Sequence, residues 1–321
     1  MIERQKPTNR LAYIGDLEPL IGRITAAYGV GAPVSHSIIE VGYEDCNVII
    51  ETGQGRFLAK MFAKTREAKD IVRYTDIMQE VIAAGIRHPE FMTTASGQVS
   101  HTESGISLVL MRFIEGKTFY EMDRAPDDEE RLAILEQAAR INAMDYAPPC
   151  LFDDLAIPNI SSMFGRVRQF IDPDDLALVE QAVVQYDAVP ASRLPHAFVH
   201  NDLIKTNILK ANDGGIYVLD FALASRYPRI QELAVIIASL LYDKEDAFTL
   251  QDRCSQVAEE YGRFAELTED ERRYLPACAL AGVAMEFMGA CKMKFINGSN
   301  TAETEYWFAS GRNGLRKALR K

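Results

Sequence analysis

"FVHNDLIKTNILK" at residues 198–210 and "LDFALAS" at 219–225 are the stretches on which the reading of this chain turns. Both are apolar runs of strand composition. The first nevertheless sets His200, Asp202 and Asn207 on one short turn, and the second offers another acid, Asp220, at the end of its run. Between them "KANDGG" is turn-forming, so 197–221 reads as a hairpin. Two carboxylates and an amide gathered this closely exceed what packing asks for, because a charge taken from water needs a partner.

Upstream, the periodicity is of two kinds. Residues 17–29 carry Leu17, Leu20, Ile21 and Ile24 at helical spacing and stop at Gly29. "SHSIIEVG", "NVIIET" and "RFLAKMF" then follow as short β-branched or aromatic runs parted by turn residues, which predicts an antiparallel meander. Residues 66–84 return to helical spacing with Ile71, Tyr74, Met78, Val81 and Ile82 on one stripe, and "ISLVLMRF" (106–113) is a buried strand. Beyond Gly116 the patterns are helical at 128–144, 175–187, 230–242, 250–264 and 271–295, with the 197–221 hairpin embedded among them.

A chain of 321 residues, 48% hydrophobic and 25% charged, is too long for one small domain, and two lobes are expected. The expected division is a small N-terminal nucleotide-binding lobe over 1–111, a hinge at 112–116, and a helical catalytic and acceptor-binding lobe over 117–321. The N-terminal "MIERQKPTNR" lacks the apolar segment of a secretory signal. The run "LAVIIASLLY" is too short to span a bilayer, and 275–295 is broken by Glu286, Lys292 and Lys294, so no membrane partner is expected. Five scattered cysteines form no C-x-x-C pair, which argues for a reducing cytoplasm and against a zinc or disulfide framework. The net charge of −11 opposes nucleic-acid binding and is compatible with a cationic small molecule.

Phosphoryl transfer from a nucleotide needs a cation on the phosphates, oxygen ligands for Mg²⁺, a carboxylate facing the attacking hydroxyl, and a seat for adenine. Each has a candidate. Asn207 and Asp220 are an amide and a carboxylate suited to Mg²⁺, which keeps several waters, and Asp202 stands as the base. Lys60, in the apolar strand "FLAKMF", needs an anionic partner. "LVLMRFIEG" at 108–116 leads into a connection between lobes whose backbone suits adenine, with Met111 as pocket wall.

The order Lys60, "LMRFIEG", "HNDLIKTN", "LDF" resembles the protein-kinase-like fold of the aminoglycoside and choline phosphotransferase superfamily, with the signature H-x-D-x-x-x-x-N and a following D-F at His200, Asp202, Asn207, Asp220 and Phe221. Within it the "YEDCN" turn, the "MQEVIAAG" helix end and "YWFASGRNGL" are similar to the homoserine kinase type II branch. The resemblance implies an α+β, bilobal fold with a small antiparallel-sheet N-lobe and a large, mainly helical C-lobe. It also implies ATP and Mg²⁺ as cofactors, Asp202 as catalytic base, Asn207 and Asp220 as metal ligands, Lys60 on the α/β-phosphates, and the backbone of Arg112 and Ile114 at adenine. The acceptor is expected to be the hydroxyl of a small molecule.

Several positions depart from the pattern. The first hairpin has no G-x-G-x-x-G. Counting seven back from Ile82 reaches Thr75 rather than an acid, so the partner of Lys60 stays open. Glu232 stands where relatives start a helix with aspartate. His200 reads as scaffold and Lys205 as solvent-facing. No arginine lies between Tyr274 and Gly311 to fork onto a carboxylate, so Glu286, with Asp243, is expected to read an amine. The alternatives are a nucleotide-binding protein without turnover and a protein kinase, the latter disfavoured by the missing Gly-rich loop and A-P-E segment.

Overall fold

The computed structural model describes residues 6–242 and 247–319. Two compact units emerge. The first runs through Ile82 and adds Arg87–Gly116 and Ala211–Tyr217; the second takes Ala83–Ile86, Lys117–Lys210 and the chain from Val218 on. The short stretch Ala211–Tyr217 thus groups with the first unit although it lies deep in the second half of the sequence.

In the first unit, α1 (Leu17–Ala27) starts where Asp16 accepts a hydrogen bond from Glu18 N at 3.0 Å, leaving Leu20, Ile21 and Ile24 on the buried face. The predicted meander is present as β1 (Pro33–Ile39), β2 (Cys46–Thr52) and β3 (Gly55–Met61). After α2 (Ala68–Ala83) come β4 (Ser100–Glu103) and β5 (Ile106–Arg112), and the five strands pair in the order β1-β2-β3-β5-β4. Antiparallel register sets Asn47 opposite Lys60 and Lys60 opposite Val109. The face of α2 differs from expectation. Arg73, Tyr74, Ile77, Met78 and Val81 are buried, whereas Ile82 is 48% exposed, so the count that began on Ile82 started from the wrong face.

The chain continues with β6 (Gly116–Thr118) and α3 (Phe119–Met122). The chain then builds α4 (Asp128–Asn142), α5 (Ile160–Val167), α6 (Pro173–Asp187), β7 (His196–Val199), β8 (Ile208–Ala211), β9 (Ile216–Val218), β10 (Ser225–Pro228), α7 (Ile230–Ile236), α8 (Leu250–Tyr261), α9 (Glu269–Cys291) and α10 (Ala302–Leu319), all in the second unit except Ala211–Tyr217. Strand β7 is not paired into the hairpin as expected. It lies antiparallel to β10, with Val199 opposite Ser225, while β8 and β9 flank the "KANDGG" turn in a sheet of order β6-β8-β9. The loop 200–207 is therefore a true crossing between two sheets. Helix α9 is the spine, with α5, α6, α7, α8 and α10 packed on it. Its apolar length is enough to cross a bilayer, but 78% of its most apolar window is buried inside the protein. Helices α7 and α9 both end in a π-helical turn, Ile237–Leu241 and Lys292–Ile296.

Candidate active site

Strand β7 ends at Val199, and His200, Asn201, Asp202, Lys205 and Asn207 beyond it are each held by hydrogen bonds. The His200 ring is fully buried; its Nε2–H donates to the Leu219 carbonyl at 2.9 Å, and Nδ1 accepts from Asp202 N at 3.2 Å. That pairing fixes the neutral tautomer, and burial drives the imidazole pKa down to about 4. His200 is scaffold, as the sequence predicted. Asn201 adopts a left-handed φ of 68° and donates through Nδ2 to Asp153 Oδ2 at 2.9 Å. Glu232, at the start of α7, accepts His200 N at 2.8 Å and Asn201 N at 3.0 Å on its two oxygens. Burial pushes this carboxyl up to about 7 against the pull of the two N–H groups. The longer arm of glutamate thus still reaches the loop backbone.

Asn207 Nδ2 donates to Asp202 Oδ2 at 2.7 Å and to the Asp202 carbonyl at 3.0 Å. The Asn207 carbonyl accepts Leu219 N at 2.8 Å, which ties the turn to the residue before Asp220. Asp220 has φ 60° and caps the short helix 221–223 by accepting Ala222 N at 3.3 Å. The structure therefore brings Asp202, Asn207 and Asp220 into one constellation. With its nitrogen committed to Asp202, the Asn207 side chain has its oxygen left for a cation. One amide oxygen and one carboxylate are a sparse, all-oxygen donor set, which fits Mg²⁺ with retained waters. Among the described residues no cluster of three or more His, Cys, Asp or Glu offers a denser metal site.

Lys205 corrects the expectation of a solvent-facing side chain: it is 5% exposed. Its Nζ donates to Tyr306 Oη on α10 at 2.8 Å, and its backbone N–H donates to Ser239 Oγ at 3.3 Å. Glu286, on α9, lies in the field of Lys205 and is hydrogen-bonded to Ser239, while burial outweighs both and raises its carboxyl to about 8. Glu286 Oε1 is sequestered without a hydrogen-bond partner. Asp243, expected to act with Glu286, lies outside the described residues.

In the first unit, Lys60 is 3% exposed and meets Asp45, with Nζ 3.2 Å from Oδ2. The ammonium also stands 5.5 Å from the centroid of the Tyr74 ring. Asp45 Oδ1 accepts Ala63 N at 3.0 Å, and Arg66 approaches Oδ2 at 3.4 Å. The acid that sequence reasoning sought on α2 thus comes from the β1–β2 turn. The signal was present: Asn47 faces Lys60 across the ladder, and Asp45, two residues before it, falls on the same face. Met111 is buried. The Arg112 N–H is spent on the Glu90 carbonyl at 2.8 Å and its side chain on Glu90, Nε to Oε2 3.1 Å. Ile114 follows on the irregular segment before β6.

Comparison with known proteins places this architecture. The profile of the phosphotransferase enzyme family matches residues 35–273. A homoserine kinase of Rhodopseudomonas palustris (strain BisB5) is 24% identical over 276 residues, covering 84% of this chain and 82% of its own. One of Phenylobacterium zucineum (strain HLK1) is 24% identical over 83% and 82%. Among solved structures, a microcompartment-associated aminopropanol kinase superposes with a TM-score of 0.71 at 13% identity, covering 94% of this chain and 96% of that one. A spectinomycin phosphotransferase complexed with ADP and spectinomycin gives 0.68 at 12%, covering 94% and 97%.

Proposed function

This chain belongs to the phosphotransferase enzyme family and is a small-molecule kinase, and on that premise we propose that it transfers the γ-phosphate of Mg²⁺-bound ATP to the hydroxyl of an amine-bearing acceptor. The observation that carries the reading is the Asp202–Asn207 pair clamped beside residue 220, with Glu232 fixing the backbone that leads into it. Asp202 orients the acceptor hydroxyl and takes its proton as the bond to phosphorus forms and the bond to the leaving ADP oxygen breaks. Asn207 and Asp220 would hold Mg²⁺, which supplies charge neutralisation on the phosphates when bound. Lys60, paired with Asp45, serves the α/β-phosphates, and Met111 with the backbone of Arg112 and Ile114 serves adenine. The division into a nucleotide-binding segment over 1–111, a hinge at 112–116 and an acceptor-binding remainder belongs to the same proposal.

A nucleotide binder without turnover would be favoured by a Lys60 with no acid to hold it, and Asp45 supplies that acid. The choice of an amine rests on Glu286, a carboxylate with one oxygen unmatched inside an otherwise apolar helix face. Relatives and structural neighbours act on homoserine, aminopropanol and spectinomycin, according to their names. The test is transfer of label from γ-³²P ATP to a panel of amino alcohols, homoserine, sugars and choline. Amino alcohols are expected to accept phosphate, and kcat/KM for them is expected to rise about tenfold per pH unit below about 8, where Glu286 is half ionised, and to level above it. Glu286→Gln is expected to flatten that rise and raise the acceptor KM with ATP binding unchanged. Phosphorylation of amine-free acceptors alone would overturn the assignment.

A further inference from the structure

We propose that Lys205 and Tyr306 form a second anchor for the catalytic turn, through which α10 positions Asp202. The inference rests on the kinase reading of the site. The first anchor holds the turn where it begins: Glu232 takes the backbone N–H groups of His200 and Asn201. Asp202 follows immediately. A loop held only there would be free to swing at its far side, and Asp202 would carry that freedom into its distance from the acceptor hydroxyl.

The far side is held at one residue, Lys205, by three elements. Its backbone N–H donates to Ser239 Oγ in the π-helical turn after α7, at 3.3 Å. Its carbonyl accepts Tyr120 N of α3 at 3.0 Å. Its Nζ donates to Tyr306 Oη of α10 at 2.8 Å and stands 5.5 Å from the centre of that ring. Tyr306 is itself seated by edge contacts with Tyr120 and Trp307, both at 5.0 Å between ring centres. The ammonium is a costly group to bury, and the acid in its field, Glu286 on α9, is itself pushed by burial towards the neutral form. A hydrogen bond to a neutral phenol is a poor return for burying a lysine if structure is the only end, since methionine fills the same space without a charge. It is a good return if the object is a fixed direction, because a charge with one defined partner admits one geometry.

Lys205 is three residues past Asp202 and two before Asn207, so the anchor falls between the base and the amide that is bonded to it. Neither Lys205 nor Tyr306 touches a reacting atom in this assignment; both are positioning residues. Tyr306→Phe removes one hydroxyl and keeps the ring, and Lys205→Met keeps the stem.

The test joins hydrogen exchange with turnover in the full-length protein. In both variants the amides of 201–207 are expected to exchange at least tenfold faster, with those of β7 and α9 unchanged. The kcat for phosphate transfer is expected to fall at least tenfold, about 1.4 kcal/mol of barrier, while the KM for ATP stays within twofold. The double variant is expected to be no slower than Lys205→Met alone, because the two groups act as one unit. Unchanged exchange in 201–207 would overturn the proposal, as would losses that multiply in the double variant or faster exchange with undiminished kcat. If the parent protein transfers phosphate to no acceptor, the kinase reading fails on its own, and the exchange rates still decide whether α10 holds the turn.

Discussion

At the residue scale, burial sets the protonation of the groups that support the turn, His200 and Glu232. His200 is neutral because its ring is enclosed and both nitrogens are used, one as donor and one as acceptor. Its pKa of about 4 lies below the ordinary 6.5, so the unfolded chain binds a proton that the folded chain refuses. Stability from this residue is complete above pH 6.5 and is lost as pH falls towards 4, at about 1.4 kcal/mol per pH unit. Urea titrations between pH 4 and 7 are expected to lose that slope in His200→Asn. The grouping of Asp202, Asn207 and Asp220 was legible in sequence because the proposed phosphoryl transfer asks for those side chains at close spacing. Lys205 was not, because its partner Tyr306 lies 101 positions away and no local pattern announces it. Asp45 stood between these cases, readable only once the ladder register is known.

At the scale of elements, β1, β2, β3, β5, α1, α2, α4, α6, α8 and α9 fall where the hydrophobic periods of the sequence put them, although α2 turns another face inward and α10 was not among the helices read from period. Strand pairing does not follow from period, and β7 joins β10 rather than its neighbour in sequence. The difference matters to the site, since a hairpin would have kept 200–207 in a ladder and spent its backbone N–H groups there. Freed from a ladder, those groups go to Glu232 and Ser239 instead. The same scale sets the seating of α10 on α9. A Cβ at Gly311 would collide with the backbone of Phe287. Gly311→Ala would gain up to about 1 kcal/mol in helix propensity, but overpacking a contact with rigid backbone costs about 1–3 kcal/mol. A net loss of about 1–2 kcal/mol is expected, read as a lower midpoint in chemical denaturation. An unchanged or higher midpoint would mean that α10 can slide, and a sliding α10 would be a poor anchor for Lys205.

At the scale of the whole molecule, the chain divides its work. One unit carries a sheet with a buried lysine held by an acid from a hairpin turn, and the other carries a carboxylate and an amide bonded to each other in one turn, with a second carboxylate just past a following strand. Composition announced two parts, and the charge of −11 is compatible with the cationic acceptor proposed. What composition does not reveal is which group in the turn acts on the substrate and which only hold it in place. In the proposed mechanism Asp202 alone meets the acceptor hydroxyl, while His200, Glu232 and Lys205 set its position. The most direct measurement is steady-state phosphate transfer by Asp202→Asn, an exchange that keeps size and removes the charge. The mechanism predicts a fall in kcat of about 10²–10⁴-fold with ATP binding and thermal stability close to those of the parent; transfer at the parent's rate would contradict it.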